Sequence, residues 1–243
     1  MTHHKHICAR LLLNLGLLAL ILHASAQPPE SRLKKKDLKK DVSMVTTEGR
    51  ILLRLSDSTP GHRDNFLKLV KTGFYEGISF HRVIERFMVQ AGDARTREGG
   101  IPKVKRAYGD SSYTLAAEIV PSLYHRRGVL AAARMGDDVN PERRSSGSQF
   151  YIVQGRVFTP LSLDSVQTHR LGGRILPEAQ RRDYLTMGGA PHLDRSYTIF
   201  GEVVEGMDVV DRIAAAKTTG RQGGDKPLTP IRITETRLVK RKR

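Results

Sequence analysis

The sequence predicts a mainly β domain, arranged as a closed antiparallel barrel carrying two helices, and three observations point there. Runs of four to eight apolar and β-branched residues recur with turn formers between them. Two stretches with a helical period interrupt the strand-like runs, one near each end of the domain. Cys8, the one cysteine, lies near the N-terminus within residues 1–26, so nothing cross-links the rest and an ordinary core must hold it together. Spacing by itself does not establish closure of the barrel.

Lys5 and Arg10 precede the apolar run Leu11 to Leu22, which leads to Ala24-Ser25-Ala26, the small-x-small form that signal peptidases cut. That run is shorter than the roughly 20 residues of a spanning helix, so residues 1–26 read as a cleavable signal for the periplasm or secretion. No integral membrane span is expected after cleavage. The formal charge of +16 falls to +14 once Lys5 and Arg10 are removed. Much of what remains clusters in a basic linker, residues 27–41, and in a short tail, residues 240–243. Such ends can attract anionic surfaces, but a low-complexity lysine run is expected to be a solvated linker. Export argues against a nucleic-acid partner.

The domain is expected over residues 42–239. Val42 to Thr47 and Arg50 to Leu55 are β-like, with Glu48-Gly49 between them as a tight turn. Pro60 and Gly61 introduce a helix whose Phe66, Leu69 and Val70 share one face, and Gly73 ends it. Further strands are expected at Ile78 to Ile84, Phe87 to Ala91, Gly128 to Arg134, Gln149 to Gln154 and Tyr197 to Val204. A second helix should bury Met207, Val210, Ile213 and Ala214 before a last strand from Pro230 to Val239. Residues 155–191 are too many for a structureless loop in a compact domain. Pro177, Glu178, Ala179 and Leu185, followed by Gly188-Gly189, predict a short helix there, in an insertion that is expected to be passive, with a lid or partner surface as the alternative.

Three stretches carry the functional signal. Phe80-His81-Arg82-Val83-Ile84 leads into Phe87-Met88-Val89-Gln90-Ala91-Gly92-Asp93; Gly128 to Arg134 leads into Ser148-Gln149-Phe150-Tyr151-Ile152; and His192-Leu193-Asp194 precedes Tyr197 to Val203. Together they resemble the cyclophilins, a family of peptidyl-prolyl cis-trans isomerases, from about Val42 to Val239. The resemblance implies an eight-stranded barrel with a helix over each end. It implies Arg82 as the catalytic residue and a proline pocket of Phe87, Met88, Tyr151 and Leu193. Gln90 and Gln149 would bind the substrate backbone, Ala133 and Arg134 would line the edge where residues before the proline sit, and His192 and Tyr197 complete the expected substrate site. X-Pro polypeptides are the expected partners of a monomer that uses no cofactor. The alternative is a cyclophilin-like module that binds proline segments or unfolded chains and hardly turns them over.

Several residues depart from the commonest eukaryotic pattern of that family. Tyr151 and Tyr197 stand where phenylalanine and histidine are usual, Arg134 replaces an asparagine, and His192 takes the place of a tryptophan. The chain has no tryptophan, and an indole there normally donates a hydrogen bond to cyclosporin, so weak sensitivity to that drug is expected. His81 adjoins Arg82, but the reaction has no proton transfer to serve, so it reads as structural. His62, His125 and His169 show no metal-ligand spacing, and neither Glu98-Gly99-Gly100 nor Gly188-Gly189 has the following Lys-Ser/Thr of a phosphate loop.

Overall fold

A computed structural model of the chain describes residues 32–99 and 113–241. The expected signal, residues 1–26, and the start of the basic linker lie outside the described residues. The strands are β1 (Lys40–Thr46), β2 (Gly49–Leu55), β3 (Arg82–Ile84), β4 (Met88–Ala91), β5 (Thr114–Leu115), β6 (Val129–Ala132), β7 (Ser145–Ser146), β8 (Phe150–Val153), β9 (Ile199–Glu205) and β10 (Ile233–Lys240). The helices are α1 (Pro60–Lys71), α2 (Pro160–Arg170), α3 (Glu178–Thr186) and α4 (Met207–Ala214).

Eight strands form one antiparallel sheet in the order β10-β1-β2-β9-β6-β8-β4-β3, while β5 and β7 pair separately. The sheet curls but is not closed by strand pairing, which corrects the expected closed barrel. Its edges, β3 and β10, share no ladder. The Val83 N–H turns instead to the Asp225 carbonyl, 2.9 Å away. Pro230, which has no N–H to give, precedes the seam. Contact is limited to residues before β3 and the start of β10: Phe80 N–H bonds Ile231 O at 2.9 Å, Ser79 bridges Arg232, and Ile233, the first residue of β10, accepts from Gly77 N–H at 2.7 Å and donates to Ile78 O at 2.9 Å. The expected strand from Ile78 to Ile84 is thus two short pieces with separate partners.

Alternation along the strands separates two apolar layers. Val89 and Ala91 of β4, Leu130 and Ala132 of β6, and Phe150 and Ile152 of β8 face the interior core. Met88, Val129, Ala131, Tyr151 and Val153, at the intervening positions, form a smaller cluster on the other face. α1 seals the interior with Phe66, whose ring lies 5.0 Å from Tyr75, 5.5 Å from Phe150 and 5.3 Å from Phe200. α4 covers β2, β3 and β4 through Val209, Val210, Ile213 and Ala214. Val209 was not among its expected buried residues, and Met207 is only partly buried.

Three other expectations need adjusting. The first hairpin turns at Thr47-Glu48, with Gly49 already paired to Thr46. The linker is not wholly solvated: Leu33 and Leu38 pack on the core, and the buried Asp37 bonds Lys71 at 3.0 Å and pairs with Lys40 at 3.2 Å. In the tail, Lys240 ends β10 and Arg241 pairs with Asp41 at 3.3 Å.

The insertion holds two helices rather than one. α3 runs close to expectation, whereas α2 went unread although Thr159 and Ser162 cap it reciprocally and Pro160 occupies its first turn. Both pack around Leu163, Leu176, Phe158 and Tyr184 in a small core of their own. The insertion leaves and rejoins the domain where Gly155 and Gly189 press together. A Cβ on Gly155 would lie 2.5 Å from the Gly189 Cα, so neither position accepts a side chain. Among the described residues no helix is long and apolar enough to cross a membrane.

Candidate active site

The register of the sheet assembles the site. Arg82 of β3 pairs with Gln90 of β4, Gln90 with Tyr151 of β8, and Tyr151 with Ala131 of β6. One row crossing four strands therefore carries a cation, an amide, a phenol and a small side chain on the same outer face. Met88 is two residues from Gln90 on that face, and Phe87 adjoins the turn at Glu85-Arg86.

Above this row lies a hollow of about 100 Å³ whose lining includes Arg82, Phe87, Met88, Tyr151 and Leu193. Gln90, Ala133, Arg134 and Tyr197 complete its rim. A larger cleft of about 400 Å³ near Arg54 and Glu202 lacks this convergence of an apolar floor with a fixed cation, so size does not choose the site. The floor is dry: Met88 and Tyr151 are buried.

Arg82 stands at the edge with its side chain 41% exposed and its Nε 3.6 Å from Asp225 Oδ2. That separation is too long for a hydrogen bond but orients the guanidinium. Gln90 donates through Nε2 to Gln149 Oε1 at 3.2 Å, which steadies both amides. Gln149 sits behind Gln90 rather than in the lining. Arg134 is clamped: its Nε donates to Ser196 O at 2.7 Å, its NH1 lies 2.5 Å from Asp137, and its guanidinium lies 4.5 Å from the centre of the Tyr197 ring. It serves as a rigid wall.

His192 also stands outside the lining, with its ring 5.3 Å from that of Phe87 on the side away from the hollow. Desolvation first, then the nearby His125 ring and the charges of Arg170 and Arg156, lower its pKa. Burial likewise lowers the pKa of His81, whose backbone N–H bonds Gln90 O at 3.1 Å.

A buried chain of polar groups beneath the floor was not anticipated. The Tyr151 hydroxyl meets His125 Nε2 at 2.9 Å, and His125 Nδ1 meets Asp194 Oδ1 at 3.1 Å. Asp194 also accepts from the His125 backbone N–H at 2.8 Å and from the Tyr184 hydroxyl of α3 at 2.8 Å. A carboxylate only accepts, so Nδ1 carries the proton and Nε2 accepts from Tyr151. Burial pushes the Tyr151 phenol well up, as does Tyr197 beside it, and burial with the Asp194 charge does the same for Tyr184. Both stay protonated donors. The signal in the sequence was Tyr151 itself, since a phenol on a buried floor needs a partner.

The chain matches the family model described as cyclophilin type peptidyl-prolyl cis-trans isomerase/CLD over residues 41–238. It belongs to that family. A relative in Staphylococcus saprophyticus, named as a peptidyl-prolyl cis-trans isomerase, is 35% identical over 81% of this cyclophilin and 90% of its own length. A bifunctional phosphatase/peptidyl-prolyl cis-trans isomerase of Streptococcus pyogenes is 39% identical over 80% of this chain, which spans 37% of that longer protein. The fold is similar to a Cryptosporidium parvum cyclophilin crystal structure, with a TM-score of 0.59, 24% identity, and coverage of 84% of this chain and 99% of that one.

Because His192 packs behind Phe87 and supplies no indole at the rim, cyclosporin is expected to inhibit this cyclophilin weakly. Titration calorimetry tests this, and a dissociation constant in the low nanomolar range would show that the indole is dispensable here.

Proposed function

We propose that this cyclophilin accelerates rotation about X-Pro peptide bonds in polypeptides exported alongside it, as a monomer and without a cofactor, with Arg82 as the catalytic group. The observation that carries this reading is the strand register that sets Arg82 beside the hollow of Phe87, Met88, Tyr151 and Leu193.

Amide resonance holds the bond planar, with a barrier of roughly 18–20 kcal/mol, and proline leaves exchange on the order of tens to hundreds of seconds. At half rotation the nitrogen regains a localised lone pair and the charge separation of the planar amide fades. An apolar pocket favours that less polar form, and a fixed donor near the nitrogen favours it further. The proline ring enters the hollow against Phe87, Met88 and Leu193, while the Arg82 guanidinium donates toward the nitrogen or holds the preceding carbonyl. Gln90, steadied by Gln149, holds the substrate backbone, and Ala133 and Arg134 border its residues before the proline. No bond breaks, so no general base is needed.

Export rests on residues 1–26. The test expresses the full chain in a bacterial host, recovers protein from outside the cytoplasm, and measures mass and turnover together. A mature chain beginning near Gln27, monomeric on sizing, that accelerates exchange of an X-Pro tetrapeptide supports the reading. Full-length protein retained in the cytoplasm sinks export, and exchange no faster than the thermal rate sinks isomerase activity.

A further inference from the structure

A second cavity, of about 310 Å³, adjoins the proline hollow and shares only Phe87 with it. Its walls come from the β3–β4 turn, the first residues of the insertion, α2 and the His192 turn. Arg86, Arg156 and Arg170 line it, and no carboxylate does. Among the described residues these guanidinium groups have no acidic partner. Arginines of nearby segments do: Arg126 holds Glu202, Arg127 holds Asp211 at 2.6 Å, and Arg181 holds Asp164 at 2.6 Å.

One of the three cations is held by packing and the backbone of another is fixed. Arg86 has a left-handed backbone (φ 62°), unfavourable for a residue with a side chain, and the Gln154 side chain holds its N–H there. Arg156 lies 4.6 Å from the centre of the Phe158 ring. Like charges gathered in a concave wall repel one another, and a bound anion relieves that repulsion.

We propose that this cavity is an anion subsite, which receives the carboxylate of an aspartate or glutamate just after the proline of a client polypeptide. The inference rests on the isomerase reading. Residues before the proline run along Ala133 and Arg134, so the chain leaving the hollow passes over Phe87 on the opposite side. An extended chain advances about 3.4 Å per residue, so a side chain within about two residues of the proline reaches the arginines. α2 supplies Arg170 and the insertion's first residues supply Arg156, so the insertion is part of the specificity surface rather than passive.

The test compares exchange spectra of two peptides, Ala-Ala-Pro-Glu-Phe and Ala-Ala-Pro-Gln-Phe, at low salt. The intact protein is expected to favour the glutamate peptide about fivefold in kcat/KM, the scale of a few partly exposed charge pairs. In Arg156→Gln/Arg170→Gln that ratio is expected to fall toward one. Because the whole chain is cationic, Lys35→Gln/Lys36→Gln serves as a charge-matched control and is expected to keep the preference. Equal turnover of both peptides by the intact protein overturns the subsite, as does a preference that survives in the arginine double variant or vanishes equally in the lysine control. Failure to turn over either peptide overturns the isomerase reading itself.

Discussion

Arg82→Ala is expected to lower kcat/KM on an X-Pro tetrapeptide at least tenfold, and toward a hundredfold, with the fold intact. A single fixed donor aimed at a transition state contributes about 2.7–4 kcal/mol where water is excluded, and less where the donor is partly wet. Arg82 is partly wet, with its side chain 41% exposed, which places the loss below that upper range. The same exposure keeps the structural effect small, because removing a rim side chain leaves no cavity in the core. Arg82→Lys separates charge from geometry: an ammonium keeps the charge but not the rigid fork, so most of the loss should persist. A protease-coupled assay beside circular dichroism decides the matter. Unchanged turnover in a folded Arg82→Ala protein would remove Arg82 from the reaction and leave the hollow as a binding pocket.

The residues of the site were legible; the way they come together was not. Arg82, Phe87, Met88, Gln90, Ala133, Arg134, Tyr151, Leu193 and Tyr197 could be named from motifs and do line one hollow. What unites them is a register across four strands, and register depends on which strands neighbour one another. Its place at the family's tryptophan position put His192 in the expected site, but the short 3₁₀ turn at Pro191–Leu193 sends its side chain and that of Leu193 to opposite sides of Phe87. The buried chain through His125 and Asp194 joins residues 69 positions apart, beyond any local pattern.

For the fold, strong periodicity was a sound guide and short elements escaped it. α4 was readable because it buries a regular face, and β4 and β8 because each is a short, mostly apolar run bounded by turn formers. β5 and β7 are two residues each, too short to show a period. α2 buries only Leu163, so its apolar signal is thin, and its start was written in the Thr159-Pro160 cap instead. The open seam was hidden because strand-like residues look alike whether they pair with a neighbouring strand or with a loop carbonyl.

Asp194→Ala is expected to destabilise the protein by about 3–5 kcal/mol, the largest stability effect of any polar substitution near the site. Asp194 is 6% exposed, and its carboxylate accepts from the His125 backbone N–H, the His125 ring and the Tyr184 hydroxyl. Truncation strands those three donors in an interior where each unsatisfied group costs about 1–3 kcal/mol, offset in part if water enters the space. For a chain of this size that corresponds to a fall in Tm of roughly 10 °C, readable by calorimetry. Tyr184→Phe removes one donor and leaves the carboxylate its other partners, so its cost should be about 1 kcal/mol. The two variants also differ in reach. Leu193 precedes Asp194 and lines the hollow, so loss of the carboxylate should loosen that wall and raise KM for the proline peptide, whereas Tyr184→Phe should leave it nearly unchanged. If Asp194→Ala melts within a degree or two of the parent, the buried chain does not brace the floor, and the insertion is only loosely coupled to the proline pocket.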